Sequence, residues 1–514
     1  MGRQTRQARR PAGRLMGILV TGLLMGVATP GLSQGRPDPE LYNRQGTERS
    51  ALGDYKGAIE FYDVALRLDP RQPRVYYNRG IAHFYAGDLQ AAIRDFTAAI
   101  RLDPRFTLAY NNRGLARRQV GDFPGALSDF NQAIKLDPRQ PLPYYNRGLV
   151  YFDQGQMQPA IESFTAALRL DAQLVGAYFG RGLVYYELGD IPRAKADFDR
   201  AIALDPSYAQ AYLGRGLTFY SQGKLTEAMA EFDRAVSLNP DFAVAYNNRG
   251  LLAFRQGNQR AALEDLNRAV RANPELARAF YNRGVVLYTQ GEAGRSKADF
   301  DRVIALQPDM AMAFNNRGLT RQSLGDAPGG LADLDQAVAL NPRSALAYSN
   351  RGLARLEAGD LEAALTDFNQ AITLDPTLAI AFNNRGLTRQ RVGDLTGALA
   401  DFDQALALQP TYGDAFYNRG VVRFGQGDRP AALADFNRAT EVDSRAAAAF
   451  YNRGVIRFEM GEQTAAIQDF LKAADLYLEQ GRMANYQQTV QLVRELYTRY
   501  KLSPPPAQSA GRAP

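Results

Sequence analysis

Cysteine is absent from this sequence, which excludes disulfides, thiol nucleophiles and cysteine metal sites together. Histidine is nearly absent too. With His83 alone, histidine-based triads and histidine-rich metal sites have almost no raw material, so no metal and no cofactor are expected. An excess of one charge is also missing once the charge is located. Of the net +7, five charges come from Arg3, Arg6, Arg9, Arg10 and Arg14, and no acidic residue precedes Asp38. The remainder is near neutral at +2, which leaves no basic footprint for nucleic acid.

Those five arginines are followed by an uncharged run from Leu15 to Ala28, the layout of a secretory signal. Small residues at Gly31 and Ser33 suit cleavage near Ser33. An uncleaved inner-membrane anchor is the alternative, and the only expected membrane contact. The expectation is therefore an exported protein of a bacterial periplasm or envelope. Residues 1–33 form the signal and 34–38 a linker.

From there the chain repeats. The dipeptide Arg-Gly recurs with its glycine at 80, 114, 148 and onward to 454, always 34 residues apart, and Gly46 after Gln45 adds a thirteenth unit. Within the unit starting at Pro73, a first helix is predicted over about 73–86 and a second over about 89–102. Gly87 stops the first and Asp88 caps the second. Asp103-Pro104 ends the pair, because proline cannot continue the helical hydrogen-bond ladder. An aromatic stands four residues before each recurring glycine, from Tyr42 and Tyr76 through Phe450. Small residues at Gly80, Ala92 and Ala99, and the ring of Phe96, mark where two helices approach.

Aromatic, glycine, small residue, aromatic, alanine and proline at these offsets closely resemble the tetratricopeptide repeat family, from Leu41 to about Gln480. Arginine stands where the family often has leucine before its glycine, and no unit carries the family's tryptophan. The resemblance implies an all-α solenoid, a right-handed superhelix of thirteen helix-turn-helix units (39–480) whose first helices line a concave groove. It also implies a non-enzymatic scaffold for protein or peptide segments. After Gly481, Tyr486, Val490, Val493, Tyr497 and Tyr500 recur at helical spacing, so 481–502 is expected to cap the stack and 503–514 to be a disordered tail.

Two repeated columns carry sharper expectations. Arg79 should face Asp95 across its hairpin, and eleven of the thirteen units have an acid at that second position. Asn78, Asn112, Asn146, Asn248, Asn282, Asn316, Asn350, Asn384, Asn418 and Asn452 stand two residues before the recurring glycine. They resemble the asparagine ladder of the O-GlcNAc transferase superhelix, in which amides grip an extended peptide. An amide offers both a donor and an acceptor to a peptide backbone. The alternative is that each asparagine satisfies a neighbouring repeat or faces solvent. Tyr77, Tyr145, Tyr281, Tyr417 and Tyr451, one position earlier, would flank such a groove.

A third column, Arg117, Arg321, Arg355, Arg389, Arg423 and Arg457, would favour acidic ligands unless these residues are locally paired. Residues 284–342 are expected to be the weakest stretch, with Ser296 at a small apolar position and Gly329-Gly330 inside a helix. Competing readings are an envelope structural or glycan-binding protein, or a regulatory subunit of a glycosyltransferase-type complex. A catalytic domain has no room after the last hairpin.

Overall fold

A computed structural model describes residues 38–500. The expected export segment, most of the linker and the C-terminal tail lie outside the described residues. Among those residues are 27 helices and no strand. Twenty-six helices form thirteen pairs, here called repeats 1 to 13, each with a helix A and a helix B. The first helices begin at Pro39, Pro73, Thr107, Pro141, Val175, Ala209, Ala243, Ala277, Ala311, Ala345, Ala379, Gly413 and Ala447, every 34 residues. The chain is an all-α solenoid.

Local chemistry sets the pairs. In repeat 2, helix A covers Pro73–Tyr85 and helix B Leu89–Leu102, within a residue of the sequence expectation. Gly87 between them has φ +86°, a left-handed conformation that a side chain would strain. Asp88 then accepts a hydrogen bond from the Ala91 amide and satisfies a free N–H of the new helix.

At Gly80 the two helices come so close that an added Cβ would sit 2.7 Å from the Phe96 ring. The ring itself is fully buried. Repeat 9 closes the same gap differently. Leu334 replaces the phenylalanine, and a Cβ on Gly330 would meet the Gly318 carbonyl at 2.9 Å. Gly330 is thus a close-approach glycine in that hairpin. Ser296, in repeat 8, is fully buried and donates to the Gly284 carbonyl at 2.8 Å, so its hydroxyl is satisfied in the helix seam.

Contacts divide the described residues into two compact units, one ending at Ala279 and the other beginning at Phe280. In the first, each helix from Pro39–Ala51 to Gln259–Ala272 packs on the next. First helices of repeats 1 to 5 also touch the first helix of the following repeat. In the second, the helices from Ala293–Leu306 to Met483–Tyr500 pack in sequence, and the first helices of repeats 9 to 12 touch each other in the same way. The final helix, Met483–Tyr500, lies on helix B of repeat 13. Val493 and Leu496 are buried there against Ala466, Ile467 and Phe470, with Tyr497 and Tyr500 beside them. No helix among the described residues is long and apolar enough to cross a membrane.

Candidate binding surface

The arginine before each recurring glycine is a structural rivet. In the eleven repeats with an acid at the facing position, guanidinium and carboxylate lie 2.5–2.8 Å apart, from Arg79–Asp95 to Arg453–Asp469. Most pairs are forked. Arg79 donates from Nε to one oxygen of Asp95 and from Nη2 to the other. The same guanidinium reaches back to helix B of the preceding repeat, where Nη1 donates to Asp63 at 2.5 Å. It also lies 5.5 Å from the Tyr76 ring, and an equivalent stack recurs in every repeat from 2 to 13. The aromatic four residues before the glycine therefore supports a cation as well as filling space. Burial pulls the Arg79 guanidinium toward neutrality, but its two carboxylate partners outweigh it and hold the charge firmly in place.

The third column is locally paired. Arg117, Arg355, Arg389, Arg423 and Arg457 each donate from Nη1 to the same aspartate as the rivet, at 2.8–2.9 Å, and Arg321 lies 3.2 Å from Asp333. These guanidinium groups are committed to carboxylates of their own hairpins, and Arg355 also lies 3.6 Å from Asp335 of the preceding repeat, so the expected preference for acidic ligands loses its basis.

The asparagines form clasps between repeats. Asn78 donates to Asn43 Oδ1 at 3.2 Å, Asn112 to Tyr77 Oη at 3.1 Å, and Asn146 to Asn111 Oδ1 at 3.1 Å. The same step of 35 residues joins Asn316 to Tyr281, Asn350 to Asn315, Asn418 to Asn383 and Asn452 to Tyr417. Where two asparagines are adjacent, a side bond lengthens the chain. Asn146 donates to Asn111, Asn111 to Asn112, and Asn112 to Tyr77. Asn350, Asn315, Asn316 and Tyr281 repeat this relay, and Asn418, Asn383 and Asn384 repeat its first two links. Such chained bonds polarise one another and fix register.

Asn78 shows the rule by exception. Its neighbour is Tyr77, which has no amide to donate, and its Oδ1 is buried without a bond. Asn248 donates instead to the Val244 carbonyl of its own helix. Asn282 is half-buried at the corresponding place. Repeats 5 and 6 have Gly180 and Gly214 in this column. A Cβ there would lie 2.8 Å from Phe164 and 2.6 Å from Phe198, so rings occupy the space.

Exposure separates residues that the sequence makes alike. Asn78, Asn112 and Asn146 are fully buried, as is Tyr77, and Tyr145 is 2% exposed. Ile81, Leu115, Leu149 and Leu183, which follow the recurring glycines, are buried beside them. In repeats 9 to 13, Asn316, Asn350, Asn418 and Asn452 are half-buried, as are Tyr417 and Tyr451, while Asn384 is nearly covered at 7%. Tyr281 in repeat 8 is half-buried as well.

In the same stretch Arg118, itself buried, donates to Asp153 of the next repeat at 2.6 Å. Its charge acts on the Tyr145 phenol. Burial pushes the Tyr77 and Tyr145 phenols far above the ordinary tyrosine range, and the Asn112 bond draws Tyr77 only part of the way back. Tyr281 and Tyr417 shift in the same direction, again through burial first.

The open surface is elsewhere on helix A. Met312, Leu346 and Ile380 are 51%, 52% and 39% exposed, one in each of three successive repeats at the second helical position. Four residues after each comes Asn316, Asn350 or Asn384, and three further on Leu319, Leu353 or Leu387, half-buried. Positions i, i+4 and i+7 share one helix face. Each of these helices therefore presents an apolar side chain, an amide and an aliphatic in line. Column identity alone hides this feature; the signal for it is a large apolar residue at the second helical position in three consecutive units.

The sequence matches family descriptions given as "Tetratricopeptide repeat" over 73–106, 179–241, 247–311, 315–379 and 422–477. It matches "TPR repeat" over 46–87, 114–155, 148–189 and 391–427. The chain belongs to the tetratricopeptide repeat family. Comparison with curated proteins gives no match. Among solved structures, the tetratricopeptide fold recurs in the APC/C hetero-tetramer Cut9-Hcn1. That similarity has 16% identity and a TM-score of 0.52, covering 89% of this chain and 96% of that one. Other similar structures include YrrB, titled a TPR protein with an unusual peptide-binding site, at 27% identity and TM-score 0.31, covering 37% of this chain and 97% of that one. Yeast Tom70 matches at 15% identity and TM-score 0.40, covering 90% of this chain and 96% of that one.

Proposed function

We propose that this tetratricopeptide repeat chain is a non-enzymatic scaffold that binds protein or peptide segments on the helix-A face of repeats 9 to 11. The observation that carries this reading is the exposed row Met312, Leu346 and Ile380, with the half-buried amides of Asn316 and Asn350 beside its first two members. Apolar side chains exposed in register across three repeats offer area to a partner, and polar groups beside them fix its orientation. The carboxamides of Asn316 and Asn350 each spend one N–H on a neighbouring repeat. A carboxamide has a second N–H and acceptor lone pairs in addition, of which Asn316 gives one to the Asn315 amide.

A random peptide library enriched on the intact chain tests the reading. Enrichment should fall to the level of an empty support when Met312, Leu346 and Ile380 are all changed to glutamate. Equal enrichment by the two proteins would reject this surface.

We propose further that the protein works outside the cytoplasm. The support is the cationic segment followed by an uncharged apolar run in residues 1–28. Fusing residues 1–38 to a reporter enzyme that is active only after export should give activity, and replacing the five arginines with glutamate should abolish it. Absence of reporter activity with the native segment, when the fusion is made and stays inside the cell, would contradict export.

A further inference from the structure

A cavity of about 270 Å³ opens beside helix A of repeat 7, lined by Ala253, Arg249, Asp233, Asn258, Ala261, Glu264 and Asp265 among others. Its position has a template within the chain. Three residues after the recurring glycine, repeats 3, 9, 10, 11, 12 and 13 carry Arg117, Arg321, Arg355, Arg389, Arg423 and Arg457. Each places its guanidinium on the aspartate that also holds the rivet arginine. Three of them donate as well to a carbonyl in the first turn of helix B, that of Gly125, Gly329 or Gly397. Arg117, Arg321 and Arg389 also lie 3.5–3.7 Å from the capping aspartate of helix B.

Repeat 7 keeps these acceptors and lacks the cation. Asp265 corresponds to the shared aspartate, Ala261 to the carbonyl residue and Asn258 to the cap. The residue at the arginine position is Ala253, whereas repeats 5, 6 and 8 fill it with Tyr185, Phe219 and Leu287. Asp265 is 6% exposed and accepts the forked pair from Arg249. In repeat 12, Asp435 accepts the equivalent fork from Arg419 and also a bond from Arg423.

Charge points the same way. Asp403 and Asp435 in repeats 11 and 12 face two arginines, Arg419 and Arg423. Their counterparts Asp233 and Asp265 face Arg249 alone. Glu264 adds a carboxylate to the cavity wall, and its exposed partner Arg260 is turned to it at 3.2 Å. Arg249 does not forbid a second guanidinium, since two share one aspartate in each sister repeat.

We propose that this cavity is a receptor for the guanidinium group of an arginine supplied by a protein partner. Asp265 and the Ala261 carbonyl would accept its planar donors, and Glu264 would close over it. Planar, multidentate acceptance selects arginine over lysine, whose ammonium is a point charge. The choice of a protein-borne arginine rests on the scaffold reading above; the guanidinium site itself does not.

The test is titration of the full chain with the peptide Gly-Gly-Arg-Gly-Gly and with its lysine and citrulline counterparts, followed by calorimetry or amide chemical shifts. The arginine peptide should bind saturably, shifting amides of residues 249–265, and the other two should bind at least about tenfold more weakly. Ala253→Arg supplies the missing group from inside, and Ala253→Leu fills the space as Leu287 does in the next repeat. Both should remove the binding, while enrichment of library peptides through Met312, Leu346 and Ile380 continues unchanged. Absence of saturation with the native chain, equal binding of the citrulline peptide, or undiminished binding in both variants would overturn the proposal.

Discussion

Repeats 2 to 4 and repeats 9 to 13 carry the same asparagine in the same helical register, and both stretches use it to clasp the preceding repeat. They differ in what lies over it. Asn78, Asn112 and Asn146 are sealed under packed side chains, whereas Asn316, Asn350, Asn418 and Asn452 remain half-buried. The difference teaches that a repeated polar column is first a device for registering repeats. Its availability to a ligand is set by the positions around it, which vary from unit to unit.

The largest effect in this comparison is expected at a buried ion pair of the first stretch. Arg118→Ala leaves the Asp153 carboxylate without the guanidinium that it meets at 2.6 Å, from a side chain that is 5% exposed. A loss of about 3 kcal/mol in denaturant unfolding is expected for such a pair. A drop below about 0.5 kcal/mol would mean that this pair contributes little. Next in size, Asn112→Ala removes the bond that Tyr77 Oη accepts and the acceptor of the buried Asn111 amide, and should cost about 2 kcal/mol. Asn350→Ala, in the half-open stretch, should cost about 1 kcal/mol or less, because water can replace the lost partner. Equal losses would erase the distinction between the two stretches.

A test spread over many side chains, not one, is alkaline pH. Burial raises the Tyr62, Tyr208 and Tyr412 phenols to about 12, and raises Tyr77 and Tyr145 in the same direction. The unfolded chain releases these protons near pH 10, while the folded chain keeps them. This contribution is therefore complete below pH 10 and is lost as pH rises toward 12, at up to about 1.4 kcal/mol per pH unit for each such tyrosine. Phenolate absorbance from these groups should appear together with loss of helical signal. Ionisation of all the tyrosines in a fully helical chain would contradict their burial.

Much of this architecture was legible in the sequence because it depends on fixed offsets. The helix limits of repeat 2, the Gly87 turn and the Arg79–Asp95 pair all follow from residues at constant spacing. The asparagine clasp was less legible, since its acceptor lies 35 residues away and changes identity. A clue was present in the preceding column, where Asn43, Tyr77, Asn111 and Tyr145 alternate between amide and phenol, each a good acceptor.

Exposure could not be read from a column, because the residues around the column vary from unit to unit. The cavity of repeat 7 was legible in principle. Ala253 is the one small residue at an arginine position whose facing aspartate is retained. Reading such a column for its arginines alone passes over the missing one.

The central claim is that ligands meet this solenoid where the helix-A face is open. Its most direct test is amide hydrogen exchange on the full chain, with and without a peptide enriched from the random library. The account predicts new protection concentrated in 311–323, 345–357 and 379–392, the three helices that carry Met312, Leu346 and Ile380. Protection confined to 73–85, 107–119 and 141–153, where the same asparagines are buried, would contradict it.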